Sequence, residues 1–324
     1  MAKYSLPQPI PLPNPYSLFR GFNFIRPIKI ENSGNVLKDY QVKITLTQDN
    51  FPFEKCRPDG ADIRFRADSG EIAPYWIELW SGSQATIWCK VPYIPEDSST
   101  LLWMVYGNPT AESQSNPDAV FDFYDDFNGA EIDTDKWIID DSTGFSLWAG
   151  FLKGTNTAGR LRSKKQFTGP LIAESRHKID VFATHGHEVL GTYVSSSNGF
   201  GGFLPHSNTM YFALAGSVWY QYDPSPVVTQ YNWCYFKILN DYSDNSYERV
   251  EQEGTSNFHQ EDFSVSVESE PLALGKRYDD NFAGEYYEGY WDWVRVRKFA
   301  YPELSLIHIS EPTRPLYISY AVFC

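Results

Sequence analysis

From Phe22 onward the chain alternates apolar and polar positions with a period of two, the spacing of a strand that buries one of its faces. FNFIRPIKIEN (22–32) and YQVKITLT (40–47), on either side of the turn-like Asn32-Ser33-Gly34-Asn35, predict two strands joined by a tight connection. ADIRFRA, IAPYWIELW, QATIWCKVPYI and STLLWMVYGNP continue the pattern, separated by Pro, Gly, Asp and Ser clusters at the spacing of a sandwich. This first unit is expected to span 19–115. A small, polar stretch (109–118) follows, and VFDFYDDF begins a second apolar alternation.

Downstream, FSLWAGFLK, GPLIAESRHKIDVFA, EVLGTYVSS, TMYFALAG, SVWYQYD, WCYFKILN, YERVEQEG, FSVSVES and YWDWVRVRKFA read as strands or half-strands. No long segment carries a helical period. The pattern predicts an all-β chain of two antiparallel β-sandwich domains, the second a larger jelly roll over 116–303.

Both ends break the pattern. In 1–18, Pro7, Pro9, Pro11, Pro13 and Pro15 occupy every second position, which suits an extended polyproline-type arm, read first as a floppy leader and alternatively as an arm for self-association. At the other end LSLIHISEPTR (304–314) reads as a translated sequencing adapter and ISYAVFC (318–324) as the flow-cell end that follows it. Pro315, Leu316 and Tyr317 cover the variable index between them. Residues 304–324 are therefore expected to be a non-native, adapter-derived tail and are kept out of the functional reading.

Composition narrows the class. A length of 324 residues suits two β-domains, and 17% aromatic residues with only three Met favour strands over helices. A formal net charge of −14 without a segregated basic patch argues against nucleic acid and anionic lipid as partners. No apolar run is long enough for a signal-peptide core or a membrane span, so no export signal and no membrane insertion are expected. Cys56, Cys89 and Cys234 lack metal-ligand spacing; Cys89 shares a strand face with Ile87 and Val91 and is predicted to be a buried thiol. A Cys56–Cys89 disulfide is the alternative in an exported protein.

GADIRFRADSGEIAPYWIELW, ATIWCKVPYIP, LLWMVYGNP and AESQSNPDAVFDFYDDFNG resemble the domain-of-unknown-function 2341 family (DUF2341), over roughly 22–128. The most telling pieces are Asp62-Ile63-Arg64-Phe65, Tyr75-Trp76-Ile77-Glu78, Ile87-Trp88 and Tyr106-Gly107-Asn108-Pro109, while Cys89 replaces a more usual β-branched residue. DDFNGAEIDTDKW through GYWDWVRVRKF resembles the concanavalin A-like or laminin-G-like jelly rolls that often follow that domain. The resemblance implies glycan or protein binding at cell surfaces, in secreted proteins or in viral fibres.

Candidate chemistry is sparse. Retaining glucan hydrolysis needs two carboxylates about 5 Å apart, and the E-x-D-x-E strand motif that supplies them in jelly-roll glucanases is absent. Glu248–Glu251–Glu253 and Glu285–Glu288 read as solvated edges, so the chain is expected not to be an enzyme. His185 and His187, beside Glu188, are expected in an exposed loop rather than on a metal, and GFGGF (199–203) as a bend. In the last strand Asp292, Val294 and Val296 share one face, with Trp291, Trp293, Arg295 and Arg297 on the other. An inward Asp292 near Asp125 and Asp126 leaves calcium open, although a hydrogen bond to backbone at the strand end is the favoured reading; no other cofactor is expected.

Saccharides offer apolar C–H faces to exposed aromatic rings, and SVWYQYD supplies such rings. Trp219, Tyr220 and Tyr222, extended by Trp148 and by Tyr287 of EYYEGYW, are the candidate carbohydrate-binding residues, with core filling as the alternative. The expectation is a non-catalytic recognition or adhesion protein, extracellular on a microbial surface, in a secreted assembly or in a virion. A structural subunit of a fibre, pilus or virion is the alternative, and a glycoside hydrolase the third.

Overall fold

The computed structural model describes residues 21–301 apart from 141–143, 156–159, 182–187, 196–197, 206–210, 217, 223–226, 228, 242–245, 264–268 and 276–287, together with 303–304 and 307–309. Within 192–222, and at 188–189, 269–270 and 307–309, the description covers the backbone alone. Helix among the described residues is confined to α1 (Pro117–Val120) and a 3-10 turn at Phe53–Lys55.

The chain forms two compact units, Met1–Val120 with Ala300–Cys324, and Phe121–Phe299. The first boundary falls later than the composition change near 115 because the polar stretch is tied down. Ile77 N–H donates to Ser115 Oγ at 2.8 Å and Asn116 N–H to the Tyr75 carbonyl at 2.9 Å. Gln41 Nε2 donates to the Val120 carbonyl at 3.0 Å, and Lys90 Nζ to the Ala119 carbonyl at 3.2 Å.

The first unit contains β1 (Phe24–Asn32), β2 (Leu37–Thr47), β3 (Arg64–Ala67), β4 (Ile72–Ala73), β5 (Tyr75–Trp80), β6 (Gln84–Ile94) and β7 (Ser98–Tyr106). One antiparallel sheet runs β1-β7-β3-β4 and the other β2-β6-β5. β1 and β2 are therefore not a hairpin: β1 pairs β7, β2 pairs β6, and their connection crosses between sheets. Crossing lets Ile28 and Ile30 join the buried row Tyr40, Val42, Ile44 and Leu46 in one core. Cys89 lies in that core, and Cys56, Cys89 and Cys234 are all free, so the Cys56–Cys89 disulfide is not formed. Residues Ile307–Ile309 form a short strand on the open edge of β1, with Ile28 opposite Ile309 and Ile30 opposite Ile307.

The motifs that carry the DUF2341 resemblance act as staples. Asp62, 1% exposed, accepts N–H bonds from Arg57 at 2.9 Å, Gly107 at 2.8 Å and Asn108 at 3.1 Å. Arg64 donates to Tyr75 Oη at 3.1 Å and to the Ala61 and Glu112 carbonyls, and Trp88 Nε1 donates to Glu78 at 3.0 Å. These bonds satisfy loop amides and carbonyls that would otherwise be buried unpaired.

The second unit comprises β8 (Phe123–Asp125), β9 (Trp137–Ile139), β10 (Phe145–Trp148), β11 (Phe151–Thr155), β12 (Arg160–Thr168), β13 (Leu171–Val181), β14 (Glu188–Ser195), β15 (Asn198–Pro205), β16 (Tyr211–Gly216), β17 (Val218–Tyr222), β18 (Trp233–Asn240), β19 (Ser246–Gln252), β20 (Phe258–Phe263), β21 (Ser269–Gly275) and β22 (Glu288–Lys298). An eight-stranded sheet runs β10-β11-β22-β13-β18-β19-β20, with β8 also on β22. A seven-stranded sheet runs β17-β16-β15-β14-β21-β12-β9. This is a jelly-roll sandwich whose core includes Trp137, Leu161, Phe236, Leu272, Trp291 and Val294. GFGGF lies within strand β15 and is not a bend.

The last strand departs from simple alternation. Trp293 pairs with Arg176 while Trp291 pairs with His177, so β22 carries one extra residue, Asp292, at a β-bulge. The bulge turns Trp291 into the core with Val294 and Val296, and releases Asp292 to the outward face. The expected inward Asp292 is thereby corrected.

Candidate functional site on the outer face of the eight-stranded sheet

Alternation along β13 sends Ala173 and Ile179 into the core, with the fully buried Ser175 and His177 on the same side. It leaves Glu174, Arg176, Lys178 and Asp180 facing outward. Register then selects their neighbours: Arg176 lies between Tyr235 on β18 and Trp293 on β22, and Lys178 between Trp233 and Tyr290. The β10–β11 hairpin adds Trp148 and Phe151 through a two-residue turn with Ala149 at φ 52° and Gly150 at φ 82°, the geometry of a type I′ turn.

The rings lean together across the sheet. Phe151 and Trp233 stand on strands separated by β22 and β13, yet their ring centroids are 5.2 Å apart. Strands three positions apart are about 14 Å apart along a flat sheet, so these side chains roof the two intervening strands. Trp148 lies 5.8 Å from Tyr290, and Tyr235 lies 6.2 Å from Trp293. The Arg176 guanidinium sits 4.1 Å over Trp233 and the Lys178 ammonium 4.6 Å over Tyr290.

Carboxylates fix these cations. Arg176 donates to Glu253 at 2.7 Å and to Asp292 at 2.8 Å, and Tyr235 Oη donates to the same Glu253 at 2.7 Å. Lys178 pairs with Asp180 at 2.8 Å and Lys153 with Glu288 at 3.0 Å. Beneath them Glu174 holds Arg295 at 2.6 Å and Arg297 at 3.3 Å, and Arg295 stacks 4.6 Å from the Trp293 ring.

The two carboxyls on Arg176 are pushed in opposite directions. Burial raises Asp292 above the usual carboxylate range, only partly opposed by Arg176. Burial would raise Glu253 too, but hydrogen bonds from Arg176 and Tyr235 hold it below that range. Tyr235 is pushed up to about 12, by burial first and by Glu253 second. Burial opposes ionisation of Glu174, yet Arg295, Arg297 and Lys237 together keep its carboxyl well below the usual value.

Of the residues singled out in the sequence, Trp148 is on this face and 58% exposed. Trp219, Tyr220 and Tyr222 belong to β17, the edge strand of the other sheet, opposite Leu214, Ala213 and Tyr211. Trp148 thus does not extend a patch on β17; their side chains, with Tyr287, His185 and His187, lie outside the described atoms. Glu248 is not a solvated edge but a 1% exposed residue, opposite the core residue Ile238. For calcium, Asp125 accepts from Phe127 N–H at 2.9 Å and Trp137 Nε1 at 2.6 Å, Asp126 accepts from Asn128 N–H, and Asp292 is held by Arg176. Among the described residues no three His, Cys, Asp or Glu side chains are grouped to hold a metal. Arg176, Glu253, Trp233, Tyr235 and Trp293 were not singled out as a site. Their signal was the outward row of WCYFKILN, Trp233 and Tyr235, opposite the core row Cys234, Phe236 and Ile238.

Residues 59–140 match the family described as "Domain of unknown function (DUF2341)". An uncharacterized protein of Methanocaldococcus jannaschii is 23% identical over 154 residues, 42% of this chain and 27% of that protein. The matched region thus spans about a quarter of that relative's length. The β-1,3-glucanase of Mycobacterium marinum is 17% identical with a TM-score of 0.36, over 56% of this chain and 100% of that one. The Bacillus licheniformis β-glucanase is 15% identical with a TM-score of 0.40 (55% and 98%), and the Pyrococcus furiosus endo-β-1,3-glucanase 16% with 0.41 (56% and 95%).

The expectation that the chain is not an enzyme is corrected: the solved structures it is similar to include glucanases. That expectation rested on one missing strand motif, and the motif's absence excludes one arrangement only. Carboxyls from separate strands and turns also converge, as Glu253 and Asp292 do on Arg176. Among the described residues no helix is long and apolar enough to cross a membrane.

Proposed function

We propose that the second unit binds a polysaccharide on the outward face of its eight-stranded sheet. The observation that carries this reading is the interleaving of half-exposed rings with hydrogen-bonding groups: Trp148, Phe151, Trp233 and Tyr235 around Arg176, Glu253 and Asp292. Sugar C–H faces stack on such rings while hydroxyls bond to carboxylates and guanidinium, which fixes the ligand's orientation. We propose with it that the chain works outside the cell, on a surface or in a secreted or viral assembly. Glycan-array binding that disappears in Tyr235→Ala, with the fold retained, supports the reading; an array left empty by folded chain counts against it.

A second reading, glycoside hydrolysis, is favoured by two carboxyls, Asp292 and Glu253, that meet on Arg176 and are displaced in opposite directions by burial and by hydrogen bonding. Reducing-sugar release that is lost in Asp292→Asn supports it, and unchanged release in that variant removes Asp292 from the chemistry. We also propose that 304–324 is foreign to the gene; native codons for the same tail, found on resequencing the locus, contradict this.

A further inference from the structure

We infer that the saccharide taken by this face is uncharged, an inference that rests on the proposed binding function. Sulfated and uronic-acid polymers are recognised by cations whose donors are left for the ligand, Arg above all, because its planar fork fits an oxyanion. On this face the cations among the rings are already committed. Arg176 spans Glu253 and Asp292 at 2.7 and 2.8 Å, Lys178 holds Asp180 at 2.8 Å, and Lys153 holds Glu288 at 3.0 Å.

An arriving anion must displace one of these carboxylates or lie beside it. Displacement exchanges one ion pair for another and strands a partly desolvated carboxylate; lying beside it sets like charges together. Around Arg176 itself the local charge leans negative, since its single charge serves two carboxylates. The chain as a whole carries −14, which repels a polyanion at long range. A neutral sugar meets neither obstacle. Its hydroxyls donate to the lone pairs that Arg176 and Tyr235 leave on Glu253 and Asp292, whose side chains are 35% and 30% exposed, while its apolar face lies on Trp233 and Tyr235.

Affinity electrophoresis of the full chain tests this, in gels cast with uncharged mixed-linkage β-glucan, xylan or galactomannan and in gels cast with alginate, polygalacturonate or heparin. Low ionic strength is used, where any attraction to an anion is strongest. The expected result is retardation by at least one uncharged polymer and by no anionic one. The double variant Glu253→Gln/Asp292→Asn, which releases Arg176, is expected to gain retardation in an anionic gel. Wild-type retardation by an anionic polymer overturns the inference while leaving polysaccharide binding intact. A folded double variant still indifferent to anions shows that the ion pairs are not what excludes them. Folded wild type retarded by no polymer at all removes the binding function and this inference with it.

Discussion

Replacing Glu174 with Gln tests the layer that supports the face. One carboxylate, 13% exposed, serves Arg295 and Arg297, whose side chains are 6% and 5% exposed, at 2.6 and 3.3 Å. Glutamine keeps the shape and removes the charge, leaving two desolvated guanidiniums facing a neutral amide. Breaking a buried pair from one side costs about 3–5 kcal/mol. At roughly 2–4 °C per kcal/mol for a domain of this size, the unfolding transition of the second unit should fall by about 6–20 °C. Scanning calorimetry of the full chain reads this directly.

The pH dependence supplies a second arm. Glu174 is held below its ordinary value of 4.5, so the folded state favours the carboxylate. Its contribution is whole above pH 4.5 and drains away as pH falls through the folded value. Wild-type and variant midpoints should therefore converge below pH 4.5, with the variant's curve the flatter. A loss smaller than about 1 kcal/mol at pH 7, or the same acid slope in both proteins, refutes the reasoning, because a surface ion pair would behave that way.

Gly107→Ala should destabilise the first unit by about 2 kcal/mol or more in the same calorimetric scan, since φ is +86° and an added Cβ meets the Phe24 ring at 2.6 Å. Ala149→Gly should raise the second unit's midpoint by the equivalent of up to about 1 kcal/mol, because Ala149 holds φ 52° in the exposed β10–β11 turn; an unchanged or lowered midpoint counts against that strain. Ending the chain at Glu303 removes the three-residue strand on β1, and cooperative unfolding of the first unit should persist with a loss of no more than about 1–2 kcal/mol; its collapse would make the tail integral to the fold.

Much of the fold was legible because period-two alternation survives wherever one face is buried. β6 and β13 show it plainly, with Ala85, Ile87, Cys89 and Val91 inward on one, and Ala173 and Ile179 on the other. β12 was missed because its inward positions include Ser163 and its outward ones Lys164 and Lys165, so RLRSKKQFT reads as polar loop. The β1–β2 connection was misread since a short polar link looks alike whether it reverses within a sheet or crosses to the other. Pairing partners, not local turn chemistry, decide between those outcomes.

The site was less legible than the fold. Trp148 was singled out, but as an extension of the aromatic run now in β17 of the other sheet, and the centre of the face is assembled by register across β18, β13 and β22. Glu253 and Asp292 are 39 positions apart in sequence and meet only through Arg176. The bulge at Asp292 inverts the parity that strict alternation assigns to Trp291 and Asp292, and nothing in YWDWVRVRK announces it.

The central claim is that the half-exposed rings over Arg176 bind a saccharide. Titrating Trp233→Ala against wild type, with the polysaccharide that retards wild type most strongly, measures it most directly. Loss of one stacked ring should cost about 1–2 kcal/mol, roughly a tenfold weakening, with the calorimetric transitions of the variant still cooperative. Equal affinity in the two folded proteins would place binding elsewhere and contradict the account.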